Sequence, residues 1–127
     1  SMASVPQAAL QKVSTFGPQD LANLAWSFAR QQCNDIPLFK ALSAVARGKI
    51  RQFACREIST TAWAFATIQF FDDPLIASIA GQAVTLSAQL NVQELANTVW
   101  AVASLVVKDD TFMAAISASA INTISEF

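Results

Sequence analysis

The stretch that decides the fold is PQDLANLAWSFARQQCND, residues 18–35, because it returns as CREISTTAWAFATIQFFD at 55–72 and as VQELANTVWAVASLVVKD at 92–109. Trp26, Trp63 and Trp100 mark the period, each 37 residues after the last. The rest of the chain follows the same ruler. Phe16, Phe53, Leu90 and Phe127 share one phase, as do Leu21, Ile58 and Leu95; Ala29, Ala66 and Ala103; Asp35, Asp72 and Asp109; Leu38, Leu75 and Phe112. Ala9, Ala46, Ala83 and Ala120 extend it toward the N-terminus. No insertion interrupts the register, and aromatic, acidic and small residues held together in phase are the mark of a tandem structural repeat.

The repeat divides the chain into units 16–52, 53–89 and 90–126. Residues 1–15 read as a cleavage scar, Ser1-Met2, followed by the end of an earlier unit's second helix. Within each unit the recurring aspartate separates two helical patterns. In the leading half, Leu21, Ala25, Phe28 and Ala29 fall at i, i+4, i+7 and i+8, one face of an α-helix. Asp20, Glu57 and Glu94 occupy the first turn, where the positive end of the helix dipole favours an acid. The trailing half opens at Asp35, Asp72 or Asp109, a residue suited to N-cap duty, with Pro37 or Pro74 in the first turn where its missing N–H costs nothing. Leu38, Leu42, Val45 and Ala46 then form a second apolar face, with Gly48 the one weak helix former, at about 1 kcal/mol relative to alanine. One such pair cannot bury its own apolar face, and stacking on neighbours supplies the partner surface. The expectation is therefore an all-α, right-handed solenoid of about seven antiparallel helices, forming one contiguous body.

Composition agrees with a folded domain: 54% of the 127 residues are apolar and 13% charged. The longest apolar run, Thr98 to Val107, is far shorter than the roughly 18 residues of a membrane span, so no membrane partner is expected. Ser1 to Val5 has no basic start leading into an apolar stretch, so no signal peptide is read there. Cys33 and Cys55 form no CxxC pair, and without histidine a metal site would lack its usual nitrogen ligands; two reduced cysteines in an intracellular protein are expected, with no metal and no cofactor. The missing histidine also removes the usual base for serine or cysteine nucleophiles. Asp72-Asp73 and Asp109-Asp110, adjacent at helix starts, serve capping better than acid–base chemistry. No enzyme activity is expected.

The segments PQDLANLAWSFA (18–29) and QELANTVWAVASL (93–105), each followed by an acid and an apolar trailing helix, resemble the octotricopeptide and heptatricopeptide repeats of organellar RNA-binding proteins, relatives of proteins with a RAP or FAST-kinase-like region. The likeness covers nearly the whole chain, although Arg56, Ile58, Ser59 and Thr60 depart from the motif in the middle unit. It implies a tandem helix-pair module that holds single-stranded RNA in a mitochondrion or chloroplast, acting on transcript stability, processing, translation or ribosome assembly.

The stripe of the leading helix opposite Leu21, Ala25 and Phe28 is Asp20, Asn23, Ser27 and Arg30, then Glu57, Thr60, Ala64 and Thr67, then Glu94, Asn97, Ala101 and Ser104. On stacked helices these align into a ladder, where Asn23, Thr60 and Asn97 are candidates to hydrogen-bond exposed base edges, or else to bond a neighbouring unit's backbone. Positions that vary between copies are better suited to reading sequence: Leu24, Thr61 and Thr98, with Arg30, Thr67 and Ser104. Arg47, Lys49, Arg51 and Arg56 cluster around one turn and are candidate phosphate contacts, or a solvated helix end. Trp26, Trp63 and Trp100, flanked by small residues at one phase, are read as repeat core rather than as stacking platforms. Two function classes follow: an RNA-binding segment, or a protein-interaction scaffold, the latter favoured by the net charge of −1. Apolar faces that native neighbours would cover also predict end-to-end self-association of this fragment.

Overall fold

The structure, a computed structural model, describes residues 7–108. Six α-helices occupy this span: α1 (Gln7–Lys12), α2 (Pro18–Arg30), α3 (Ile36–Lys49), α4 (Cys55–Thr67), α5 (Asp73–Thr85) and α6 (Val92–Lys108). Two 3-10 turns, Val13–Thr15 and Ile50–Gln52, lead into α2 and α4 through extended residues, and there is no strand among the described residues. The trailing helix expected from Asp109 onward lies outside the described residues.

The helix starts follow from local chemistry. Asp35 and Asp72 cap α3 and α5, each accepting the N–H of the residue three positions on, Leu38 or Leu75, at 3.0 Å. The three leading helices use their first-turn acids in the opposite direction. Asp20, Glu57 and Glu94 each accept the backbone N–H of the residue three positions earlier: Gly17 at 3.4 Å, Ala54 at 3.0 Å and Asn91 at 3.0 Å. Only Asn91 returns the bond, its Oδ1 accepting from the Glu94 N–H at 2.7 Å. These acids are therefore committed to helix starts and drop out of the outward ladder as ligand-binding groups.

The leading helices α2, α4 and α6 pack side by side in that order, while α3 packs on α5 and each trailing helix packs on its own leading helix. The core lies between these two layers: Leu21, Ala25 and Ala29 of α2 and Ile58, Ala62 and Phe65 of α4 meet Leu38, Phe39, Leu42 and Ala46 of α3 and Leu75, Ile76 and Ile79 of α5. At its centre Phe39, Phe65 and Phe70 meet with ring centroids 5.2–6.1 Å apart, two of the three contacts edge-to-face, the arrangement favoured by the ring quadrupoles.

Polar contacts fasten one unit to the next and tie each trailing helix to the start of its own unit. The Ser43 hydroxyl, fully buried, donates to Asp72 Oδ2 at 2.6 Å and so ties α3 to the capping residue of α5. The carbonyls of Phe16 and Phe53, which precede the leading helices at one repeat phase, each receive a donor from the following trailing helix. For Phe16 this is Lys49 Nζ at 2.6 Å, which also reaches the Ser14 carbonyl at 3.0 Å; for Phe53 it is Gln82 Nε2 at 2.9 Å. An unpaired buried carbonyl would cost about 1–3 kcal/mol, and donors from different repeat phases remove the same cost in both places.

Candidate functional site

Same-phase residues of α2 and α4 stand side by side, so the groove between these helices runs through three zones in chain order. At the N-terminal end Gln19, Ala22, Asn23, Arg56, Glu57 and Thr60 line a small polar pocket of about 20 Å³. Midway the Trp26 and Trp63 rings lie 6.5 Å apart at 40°, and the Arg30 guanidinium sits 4.9 Å from the centre of the Trp26 ring, on its face. At the C-terminal end Ala29, Gln32, Asn34, Thr67, Ile68 and Gln69 line a polar cleft of about 270 Å³.

Several site residues read from the sequence fall on this band. Asn23, Arg30 and Thr67 are exposed, Ser27 and Thr60 are half-buried, and Asn23 and Thr60 share the N-terminal pocket. The Thr67 hydroxyl donates to the Trp63 carbonyl at 2.8 Å, which orients it within its own helix. On α6, Asn97 is exposed and Ser104 half-buried.

Three expectations need correction. Trp26 and Trp100 are 40% and 52% exposed, so the tryptophans form a stripe at the surface in which Trp63 alone packs, half-buried, against the core. The buried stripe of α2 is Leu21, Ala22, Ala25 and Ala29; Trp26 follows Ala25 by one residue, about 100° around the helix, and so falls beside the stripe. Thr61 and Thr98, expected to read sequence, are each 2% exposed, and Leu24 is half-buried against the core. Thr98 lies against the groove between α5 and α6. Thr98 Oγ1 donates to the Glu94 carbonyl at 2.7 Å, whereas Thr61 Oγ1 is buried with no hydrogen-bond partner. Finally, the four candidate phosphate contacts do not act as one cluster: Arg47, Arg51 and Arg56 are exposed, but the Lys49 ammonium is engaged by the Ser14 and Phe16 carbonyls.

Gln32 and Gln69 escaped the sequence reading. Both have left-handed backbones, φ 55° and 59°, where helix C-termini usually place glycine. In each case the next residue closes the helix by a backbone bond to the carbonyl five residues back, Cys33 N–H to Phe28 O and Phe70 N–H to Phe65 O, both 3.0 Å. The signal that would have found them is their shared phase, 37 residues apart, combined with the absence of glycine.

Among the described residues no three histidine, cysteine, aspartate or glutamate side chains gather into a metal site, and Cys33 and Cys55 are free thiols. Nor is any described helix long and apolar enough to cross a membrane. Residues 4–127 match the family model of the RNA-editing substrate-binding complex 6 protein. No curated protein matches the chain.

Proposed function

The chain belongs to the RNA-editing substrate-binding complex 6 protein family, and from that premise we propose that it is a helical-repeat module whose leading-helix face holds single-stranded RNA. The observation that supports this most directly is the Trp26–Trp63 pair, whose exposed member Trp26 carries the Arg30 cation on its ring. Aromatic faces stack on any base, at about 1–3 kcal/mol per base, and arginine adds charge without needing a strongly basic surface. Asn23, Thr60, Asn97 and Ser104 stand ready for base edges, and Arg47, Arg51 and Arg56 for phosphates. No catalytic step, metal or cofactor enters this reading.

The architecture proposed is a solenoid of the units 16–52, 53–89 and 90–126, akin to octotricopeptide and heptatricopeptide arrays. The open apolar groove of about 460 Å³ between α5 and α6, lined by Ala83, Val84, Leu95, Val99, Val102 and Val106 among others, supports it. Leu95, Val99 and Val102 repeat the phases of Ile58, Ala62 and Phe65, which are buried around α5. Phe112, Met113 and Ile116, outside the described residues, repeat in sequence the phases of Leu75, Ile76 and Ile79. End-to-end self-association belongs to the same reading wherever such a face stays uncovered. An organellar setting follows from the resemblance, and a family tied to RNA editing favours the mitochondrion over the plastid.

The test is a titration of the chain with single-stranded RNA and DNA pools at low salt, followed in parallel by circular dichroism. Binding should be micromolar or weaker at physiological salt and steeply salt-dependent, given so few phosphate-directed charges. The combined change Asn23→Ala, Arg30→Ala, Asn97→Ala and Ser104→Ala should abolish it without unfolding. Absence of RNA binding, or a ladder variant that binds as wild type does, moves the protein-interaction scaffold to first place, a reading favoured by the net charge of −1 and the exposed Leu95 and Val99.

A further inference from the structure

The cleft at the C-terminal ends of α2 and α4 differs in chemistry from the rest of the band. Its polar side chains are three amides, Gln32, Asn34 and Gln69, and one hydroxyl, Thr67, with no charged group among its lining residues. Amides present a donor and an acceptor side by side, the pattern of a nucleobase edge, whereas a phosphate would call for cations. At about 270 Å³ the cleft falls just below the roughly 300–1,000 Å³ of ordinary small-molecule sites and suits one planar ring system.

The backbone adds a second observation. A left-handed residue with a Cβ is disfavoured, and glycine commonly stands at this position. Here two glutamines stand there at the same phase of successive units, φ 55° and 59°, and both side chains border the cleft. The third unit breaks the pattern: Val106 takes that phase, and α6 continues unbroken to Lys108. Among the described residues the amide cleft thus stands at the junction of the first two units, one helical turn beyond the Trp26–Arg30 platform.

We infer that this cleft, lined by Gln32, Asn34, Thr67 and Gln69, receives the edge of one nucleobase of a single-stranded RNA and distinguishes among bases there. The inference rests on the RNA reading above and adds to it a specificity site that the tryptophan stripe does not provide, because stacking accepts every base.

The test uses the chain with Gln32→Gly and Gln69→Gly together, and Trp26→Ala separately, titrated with single-stranded RNA 12-mers of A, U, C or G. Glycine removes both amides and relieves both left-handed backbones, so the melting temperature should rise by roughly 5 °C while binding weakens. Wild type should prefer one base. The double variant should lose about tenfold on that oligomer, the scale of two lost hydrogen bonds, and bind all four alike. Trp26→Ala should weaken all four oligomers and leave their ranking intact. If wild type ranks no base, or if the double variant keeps the wild-type ranking and affinity, the cleft assignment is overturned while RNA binding stands. If wild type binds none of the four, both readings fall.

Discussion

Replacing Asp72 by alanine tests how the units are coupled, because one carboxylate performs two tasks. Its Oδ1 accepts the Leu75 N–H and caps α5, and its Oδ2 accepts the buried Ser43 hydroxyl of α3. Losing an N-cap acceptor costs about 1 kcal/mol. Leaving the Ser43 hydroxyl buried without an acceptor adds about 1–3 kcal/mol, so Asp72→Ala should destabilise the chain by roughly 2–4 kcal/mol. Ser43→Ala removes the same bond yet leaves the cap in place and orphans no buried hydroxyl, and should cost about 1–2 kcal/mol. In urea unfolding, Asp72→Ala should shift the midpoint by about 1–2 M at unchanged slope. The double-mutant cycle should return a coupling of about 1–2 kcal/mol. A coupling below about 0.5 kcal/mol would refute the reasoning, since residues that share no interaction add within that margin.

Further expectations follow from individual side chains. Thr61→Val should raise stability by about 1 kcal/mol in the same assay, because it deletes a buried hydroxyl that has no partner and keeps its shape; a loss of stability would show that the hydroxyl is satisfied. Gly48→Ala should add about 0.5–1 kcal/mol, since a methyl there meets no atom within 4 Å inside α3. Phe65→Ala, in the centre of the phenylalanine cluster, should cost about 3–5 kcal/mol. Trp26→Ala should lower the melting temperature far less than Phe65→Ala does, because its ring is 40% exposed. Equal losses at the two sites would put the tryptophan back in the core.

Local signals that depend on one helix were legible in the sequence. Asp35 and Asp72 cap where their spacing from Leu38 and Leu75 says they should, and Leu21, Ala25 and Ala29 face the core. What depends on the neighbours was not. A constant phase for Trp26, Trp63 and Trp100 shows that they face the same way; it does not say whether that way is inward or out. The middle helix α4, flanked by α2 and α6, buries seven of its residues, including Ser59, Thr61 and Ala64. A helix with two same-layer neighbours buries a wider arc than its apolar pattern draws, which is why Thr61 was misplaced; Thr98 repeats its phase on α6. The donors to the Phe16 and Phe53 carbonyls were hidden for another reason. Lys49 and Gln82 lie 33 and 29 residues beyond their targets, one helical turn out of register with each other, so a search for repeats passes over them.

The outward stripe of tryptophans also gives the molecule an optical character. The chain holds three tryptophans and no tyrosine, so its near-ultraviolet emission arises from indoles that all belong to the leading helices. Two of these chromophores sit 6.5 Å apart, close enough for excitation to pass between them, and one carries a guanidinium on its face. A molecule that settles on the leading-helix layer perturbs that emission at contact range, and one that settles on the far side of the trailing helices leaves it unchanged. The unlabelled protein is therefore its own directional sensor: quenching tells which face is occupied.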